Sequence, residues 1–382
     1  MARSSIIDCY QCIVEPPDLW AARVPAAFRD RAPRVVDAPE GGNAWSFEDG
    51  ATMLPLSHLM MVEPGPQRPV LFTSSYGTMR PGCYDAKQRV ADMNADGLDV
   101  GLVFPIVGGH LHRIQDPELH KACVEAYNDA LVDWCKAGDA SRLIPVAIMP
   151  LLDVDAAVME LDRVLKTGYK AVLFSGWPNG SPSPDAADDQ FWKLCEESQI
   201  VVCFNSGAIV REQASSLFGG SAEASARVVA RAPVPITLNN LASGVGAPLA
   251  VGRLVLRGVT ERFPRLKLCF SGTGAGWLPY FLEQVDGMYF HDRFYAEFNF
   301  PMLPSEYLRR NTKLTFHVDH NAVKNLDDIG AENLMWASHY PLESSDWPDS
   351  RSVIDSQLRD VADADRRLIL EENAKDYFGL SA

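Results

Sequence analysis

Short apolar runs that close on a small or polar residue recur along the chain. They are Ser5–Asp8, Val100–Pro105, Leu143–Met149, Lys170–Phe174, Ile200–Phe204, Leu266–Phe270, Lys313–Phe316 and Leu334–Ala337. Between most of them the apolar residues take helical spacing, as in Asp116–Trp134, where Leu119, Ala122, Cys123, Ala126, Tyr127, Ala130 and Leu131 fall on one face. Val154–Leu165 and Gly276–Met288 read the same way. Strands that are apolar throughout and alternate with helices imply a parallel sheet covered on both faces. Eight of them predict an α/β fold, a distorted (β/α)8 TIM barrel, with an open sheet as the alternative.

Two stretches exceed the bare barrel. Residues 15–89, after the first strand, are rich in Pro, Gly and isolated aromatics without sustained periodicity, and read as an ordered insertion. The long loop 206–246, after the fifth strand, mixes Ser, Ala, Gly and Asn. Long loops in a compact enzyme are more often binding walls or lids than disorder. No repeat or charge block marks a second unit, so residues 1–382 are expected to form one domain.

In such a barrel the chemistry sits where strands open onto loops. The stretch Leu334–Ser350 shows this best: Leu334-Met335-Trp336-Ala337 gives way abruptly to Ser338-His339-Tyr340-Pro341. His339 is thereby a candidate acid or base, since an imidazole titrates near neutrality, with a structural histidine as the alternative. Tyr10 and Cys12 share one face of the first strand's exit. Either the phenol donates a proton or holds a substrate oxygen and the thiol contacts substrate or acts as a nucleophile, or both only fill space. His317 and Asp319 flank the seventh strand's end, where they either orient His339 or form a separate acid/base pair, with a helix cap by Asp319 as the alternative. His110 and His112 lie on a loop after the second strand, and Trp177 offers a flat wall for an unsaturated ligand. Glu15 and Glu343 are further binding candidates, although a carboxylate is more commonly at the surface.

Composition narrows the partners. The formal charge of −15 argues against a nucleic-acid groove or an anionic membrane surface, which leaves a small molecule as the expected partner. No apolar run approaches a membrane span, and MARSSIIDCYQC turns polar too soon for a signal peptide. Eight scattered cysteines read as reduced thiols of a cytoplasmic protein. Cys9 and Cys12 have CxxC spacing, but no second pair accompanies them, and the spacing reads as coincidence.

The segments Val14-Glu15-Pro16-Pro17-Asp18-Leu19-Trp20, Tyr84–Gly97, Ala126-Tyr127-Asn128-Asp129, Glu261–Lys267, Gly274–Tyr280 and Trp336–Ser350 together resemble the amidohydrolase-related proteins. The likeness is to the branch that includes aminocarboxymuconate-semialdehyde decarboxylase and the resorcylate-type decarboxylases. It implies a distorted barrel, commonly a homodimer, with a divalent metal at the strand ends. The ligand positions do not carry over. Tyr10 and Cys12 stand where the family has an acidic residue or His, one residue, and His. Asn205 replaces the His of an F-H-x-G pattern, Gly272 stands where Glu or His is common, and Ser338-His339-Tyr340-Pro341-Leu342 replaces S-D-Y-P-H. Zinc wants three or four N, S or carboxylate donors, so no metal and no other cofactor is expected. Asn205 becomes a neutral group for an oxyanion. The reading that follows is a metal-independent lyase acting on a small oxygenated, unsaturated or aromatic metabolite. The alternatives are a non-catalytic binding relative and a hydrolase or decarboxylase that recruits metal through Cys12, His339 and a loop histidine.

Overall fold

The structure is a computed structural model that describes residues 5–38, 41–50, 52–56, 75–181, 183–205, 246–296, 299–342 and 344–380. Eight parallel strands form its centre. They are β1 (Ile7–Ile13), β5 (Val100–Pro105), β6 (Leu143–Ile148), β7 (Ala171–Phe174), β8 (Val201–Asn205), β9 (Lys267–Ser271), β10 (Thr312–Phe316) and β11 (Leu334–Trp336). Each apolar run of the sequence supplies one strand, and the strands pair in chain order with helices between them. This is a nearly closed (β/α)8 barrel, as the pattern predicts.

The first strand is longer than its apolar run. It continues through Asp8, Tyr10 and Gln11 because the fold satisfies those groups internally. Between Asp8 and Gln11 the register against β5 shifts, so three steps on β1 match two from Gly101 to Val103. This bulge turns the Asp8 carboxylate back onto the Tyr10 amide at 3.1 Å. The same carboxylate accepts the Ser338 amide at 2.8 Å and the Ser338 hydroxyl. The Tyr10 carbonyl receives the His339 amide at 3.2 Å, and the Cys12 amide donates to the Tyr340 carbonyl at 2.7 Å. The seam between first and last strands is thus held by polar contacts that an apolar pattern cannot reveal.

The insertion carries a small antiparallel sheet of β2 (Arg34–Asp37), β3 (Asn43–Phe47) and β4 (Thr52–Pro55). Trp45 of β3 is fully buried and meets Trp20 edge-on at 5.1 Å. Its indole donates to the Tyr76 hydroxyl at 3.1 Å, and that hydroxyl donates to the Glu15 carbonyl at 2.6 Å. The insertion is thereby tied to the end of β1. Of the loop 206–246, only Gly246 is among the described residues. No helix among the described residues is long and apolar enough to cross a membrane.

Candidate active site

Four side chains converge at the carboxyl ends of β1, β8 and β11. Tyr10, buried to 6% exposure, shares hydrogen bonds through its hydroxyl with the Cys12 thiol and the Asn205 carboxamide. Its ring packs on Phe104 at 4.8 Å and meets the His339 ring edge-on at 5.3 Å. Burial pushes the phenol well above its ordinary range and the Cys12 thiol up to about 12. Both therefore keep their protons at neutral pH.

The backbone shape of this cluster follows from two neighbours. His339 takes a left-handed conformation with φ of 60°, uncommon for a residue with a side chain, and the hydrogen bond its backbone N–H donates to the Tyr10 carbonyl holds it there. Gly272, just past β9, has φ of +70°, and a Cβ on it would lie 2.8 Å from the Tyr10 ring. Glycine satisfies both demands at once. The Tyr10 ring occupies the space into which any side chain at position 272 would project.

His339 stacks on His317 with centroids 5.2 Å apart. His317 in turn brings Nε2 to 2.6 Å from Asp346 Oδ2. Among the described residues the buried His339 Nε2 has no hydrogen-bond partner, while Nδ1 stands 3.5 Å from the Ser344 hydroxyl. Burial first, and His317 second, lower the His339 pKa to about 3, so the ring is neutral with an unused nitrogen. His120 shows the opposite situation: its Nδ1 meets the Leu111 carbonyl at 3.0 Å and its Nε2 accepts the Leu151 amide at 3.2 Å, so both nitrogens are engaged.

The remaining expected residues lie around this cluster in different roles. Glu15 is fully buried and its carboxylate accepts the amides of Val107 at 2.8 Å and Gly108 at 2.7 Å. Burial raises its pKa to about 7 against those hydrogen bonds. It shapes the turn after β5, on which His110 and His112 stack at 6.2 Å. Asp319 caps the helix His320–Lys324 through Ala322 at 2.9 Å and accepts the Ala275 and Gly276 amides at 2.8 Å each. Trp177 is buried and tilts against Phe204 at 5.6 Å. Glu343 lies outside the described residues.

Residues that the sequence reading did not single out also hold the site. Arg89, fully buried in the helix Ala86–Asp96, donates to the carbonyls of Gly82 at 2.8 Å and Cys12 at 2.6 Å. Its guanidinium lies 4.6 Å over the Tyr340 ring. Asp8 and Asp346 were legible only as acidic letters, since their partners lie far along the chain.

A model of the family described as amidohydrolase matches residues 26–380. The chain belongs to the amidohydrolase family. Among its relatives, Decarboxylase orsB of Emericella nidulans is 26% identical over 54% of this chain, a match that spans 60% of that relative's length. An amidohydrolase from Mycobacterium avium subsp. paratuberculosis has the same fold, with a TM-score of 0.77, 20% identity and full coverage of both chains. A 5-carboxyvanillate decarboxylase from Novosphingobium aromaticivorans, solved with manganese and 4-hydroxy-3-methoxy-5-nitrobenzoic acid, has a TM-score of 0.70 at 15% identity, covering 99% of this chain and 96% of that one.

A divalent ion of the kind held in that relative needs deprotonated donors. At the places that the family resemblance assigns to ligands, this amidohydrolase has a phenol hydrogen-bonded to a thiol, a carboxamide, a glycine and one imidazole. Among the described residues no group of three or more His, Cys, Asp or Glu is arranged to hold a metal. The donor set does not fit the ion.

Proposed function

We propose that this amidohydrolase is a lyase that decarboxylates a small hydroxylated aromatic or unsaturated acid with its own side chains as the acid and base. The observation that carries the reading is the buried Nε2 of neutral His339, which has no hydrogen-bond partner among the described residues and adjoins the Tyr10 ring and the hydrogen-bonded set of Tyr10, Cys12 and Asn205. The decarboxylase relatives support the reaction class.

In the proposed step, His339 Nε2 takes the proton of the substrate hydroxyl next to the carboxylate and delivers it to the carbon bearing that carboxylate. The carbon–carboxylate bond then breaks and CO2 leaves. Its electron pair returns to the ring, and the product departs as the phenolate or enolate, to be protonated by water. A bound anion against His339 offsets the burial that depresses its basicity. Tyr10 and Asn205 donate to the oxygen on which charge builds. His317 and Asp346 orient His339 from behind, and Trp177 with the histidines of the β5 turn line the approach.

The test is CO2 release from a panel of hydroxybenzoates by untagged protein dialysed against chelator, with metal content measured on the same sample. Turnover is expected to persist with far less than one equivalent of metal. His339→Asn is expected to lower kcat by about 10²–10⁴. Near one equivalent of manganese, zinc or iron, with activity lost on chelation, refutes it.

A second reading, a non-catalytic small-molecule binder, is favoured by the Tyr10 ring filling the space beside Gly272 and Phe104. It predicts that His339→Asn and Asn205→Ala leave cellular phenotypes intact while the fold persists.

A further inference from the structure

The loop 338–350 leaves the last strand, supplies His339, and further on supplies Asp346, the partner of His317. The His339 ring itself has one hydrogen-bond contact among the described residues, at 3.5 Å to the Ser344 hydroxyl. Its orientation therefore depends on the backbone that carries it. That backbone is held through the two large rings of the loop, Tyr340 and Trp347, by one ion pair. The Tyr340 hydroxyl donates to Asp92 Oδ2 at 2.5 Å, and the Trp347 indole donates to the Asp92 carbonyl at 3.1 Å. Arg80 takes the rest of the carboxylate, with Nε on Oδ2 at 2.8 Å and Nη2 on Oδ1 at 2.5 Å. The same guanidinium lies 3.9 Å from the centre of the Trp347 ring. Asp92 and Tyr340 are both buried, so water does not compete for these bonds. A bidentate, charge-assisted pair fixes direction as well as distance.

The local sequence is shaped for this contact. Asp92 and Asp96 stand four apart in the helix Ala86–Asp96 and share a face. Asp92 takes the start of the loop and Asp96 its end, where the carboxylate accepts the Ser350 amide at 2.8 Å and hydroxyl at 2.7 Å. A Cβ at Gly82 would lie 2.6 Å from the Tyr340 hydroxyl and press on the Asp92 carboxylate, so a residue without a side chain is what lets the phenol reach its acceptor. Tyr340 directly follows His339. The imidazole is thereby fixed from both sides, by the Tyr10 carbonyl on its own N–H and by the anchored ring of the next residue.

We propose that Asp92, held by Arg80, is a positioning residue for His339. By fixing the Tyr340 hydroxyl it keeps the imidazole against the Tyr10 and His317 rings. The assignment rests on the lyase reading for the part His339 plays, while its spectroscopic test needs no turnover. Protein isotopically labelled at histidine Cε1 is compared by proton–carbon correlation NMR in the wild type and in Tyr340→Phe, Asp92→Asn and Ser350→Ala, with His339→Asn assigning the signal. Ring currents from Tyr10 and His317 displace the His339 signal from that of a solvated histidine. Tyr340→Phe keeps the ring and removes only the donor, and is expected to move the signal toward the solvated position. Asp92→Asn retains one acceptor oxygen and should move it less. His120, bonded through both nitrogens, should stay in place, and Ser350→Ala, which frees only the far end of the loop, should leave His339 where it is. In turnover of a hydroxybenzoate, Tyr340→Phe is expected to lower kcat about 10–100-fold with KM within about twofold. A His339 signal unmoved by Tyr340→Phe, one moved as far by Ser350→Ala, or a moved signal with kcat intact would each overturn the assignment. A signal that moves only on loss of the Asp92 contact, in protein that releases no CO2, keeps the positioning role and loses the lyase reading.

Discussion

Gly272 and Tyr10 make a quantitative prediction about how the site is packed. Gly272→Ala places a methyl 2.8 Å from Cε1 of the Tyr10 ring and forces a left-handed conformation with φ of +70° on a residue with a side chain. The conformational part costs about 1–2 kcal/mol, and crowding a packed ring adds about 1–3 kcal/mol. The single substitution should therefore cost about 2–5 kcal/mol. Tyr10→Ala opens a cavity and costs about 3–5 kcal/mol by itself. In that background the ring is gone and Gly272→Ala retains only its conformational cost. The two changes should couple favourably by about 1–3 kcal/mol. Urea unfolding of the wild type, both single variants and the double variant measures this, provided fluorescence and circular dichroism give coincident transitions. Additivity within about 0.5 kcal/mol would refute the claim that the ring occupies the space a side chain at 272 requires.

Further outcomes follow from the buried ionisable groups. The folded-state pKa of His339, about 3, lies below the ordinary 6.5, so the stability it contributes is complete above pH 6.5 and lost as pH falls toward 3. His339→Gln should shrink the difference between urea midpoints at pH 7.5 and 4.5, and an unchanged difference would mean that the ring is solvated. Glu15 has the opposite sign: its pKa is raised from 4.5 to about 7, so stability present below pH 4.5 is lost as pH rises through 7. Glu15→Gln has one oxygen for two amides and should cost about 1–3 kcal/mol, with the deficit against wild type narrowing from pH 4.5 to above 7. Asp319→Ala should speed hydrogen exchange at Ala275, Gly276 and Ala322, the amides that the carboxylate accepts, while leaving that of the β5 turn unchanged.

The barrel was legible because its strands are buried on both sides and so appear as uninterrupted apolar runs, as in Ala171-Val172-Leu173-Phe174. The small sheet of the insertion was not. Its strands are short, and Arg34-Val35-Val36-Asp37 is partly exposed and weakly patterned. The clustering of Tyr10, Cys12, Asn205 and His339 followed from strand ends and from the family resemblance together. Their hydrogen-bond chain did not, since it depends on which rotamers Phe104 and Gly272 allow. Glu15 looked like a pocket residue because a glutamate beside a strand end is ambiguous in sequence. Its carboxylate instead bonds loop amides that no local spacing announces. Asp319 had helix capping as its stated alternative, and the cap is what its hydrogen bonds make.

The contact between Asp8 and Ser338 joins residues separated by 330 positions. Tyr10 and Cys12 come from one end of this span and His339 from the other, so their cluster has no existence in any fragment that lacks either. A ribosome must have released most of the polypeptide before the site can bind anything, and association of these distant segments is an entropically late event in assembly. Under the proposed function, ligand affinity would thus report completed folding. A circular permutant that links the two seam strands directly and opens the chain elsewhere would form the pocket from neighbours rather than from strangers, and should acquire binding early in its refolding.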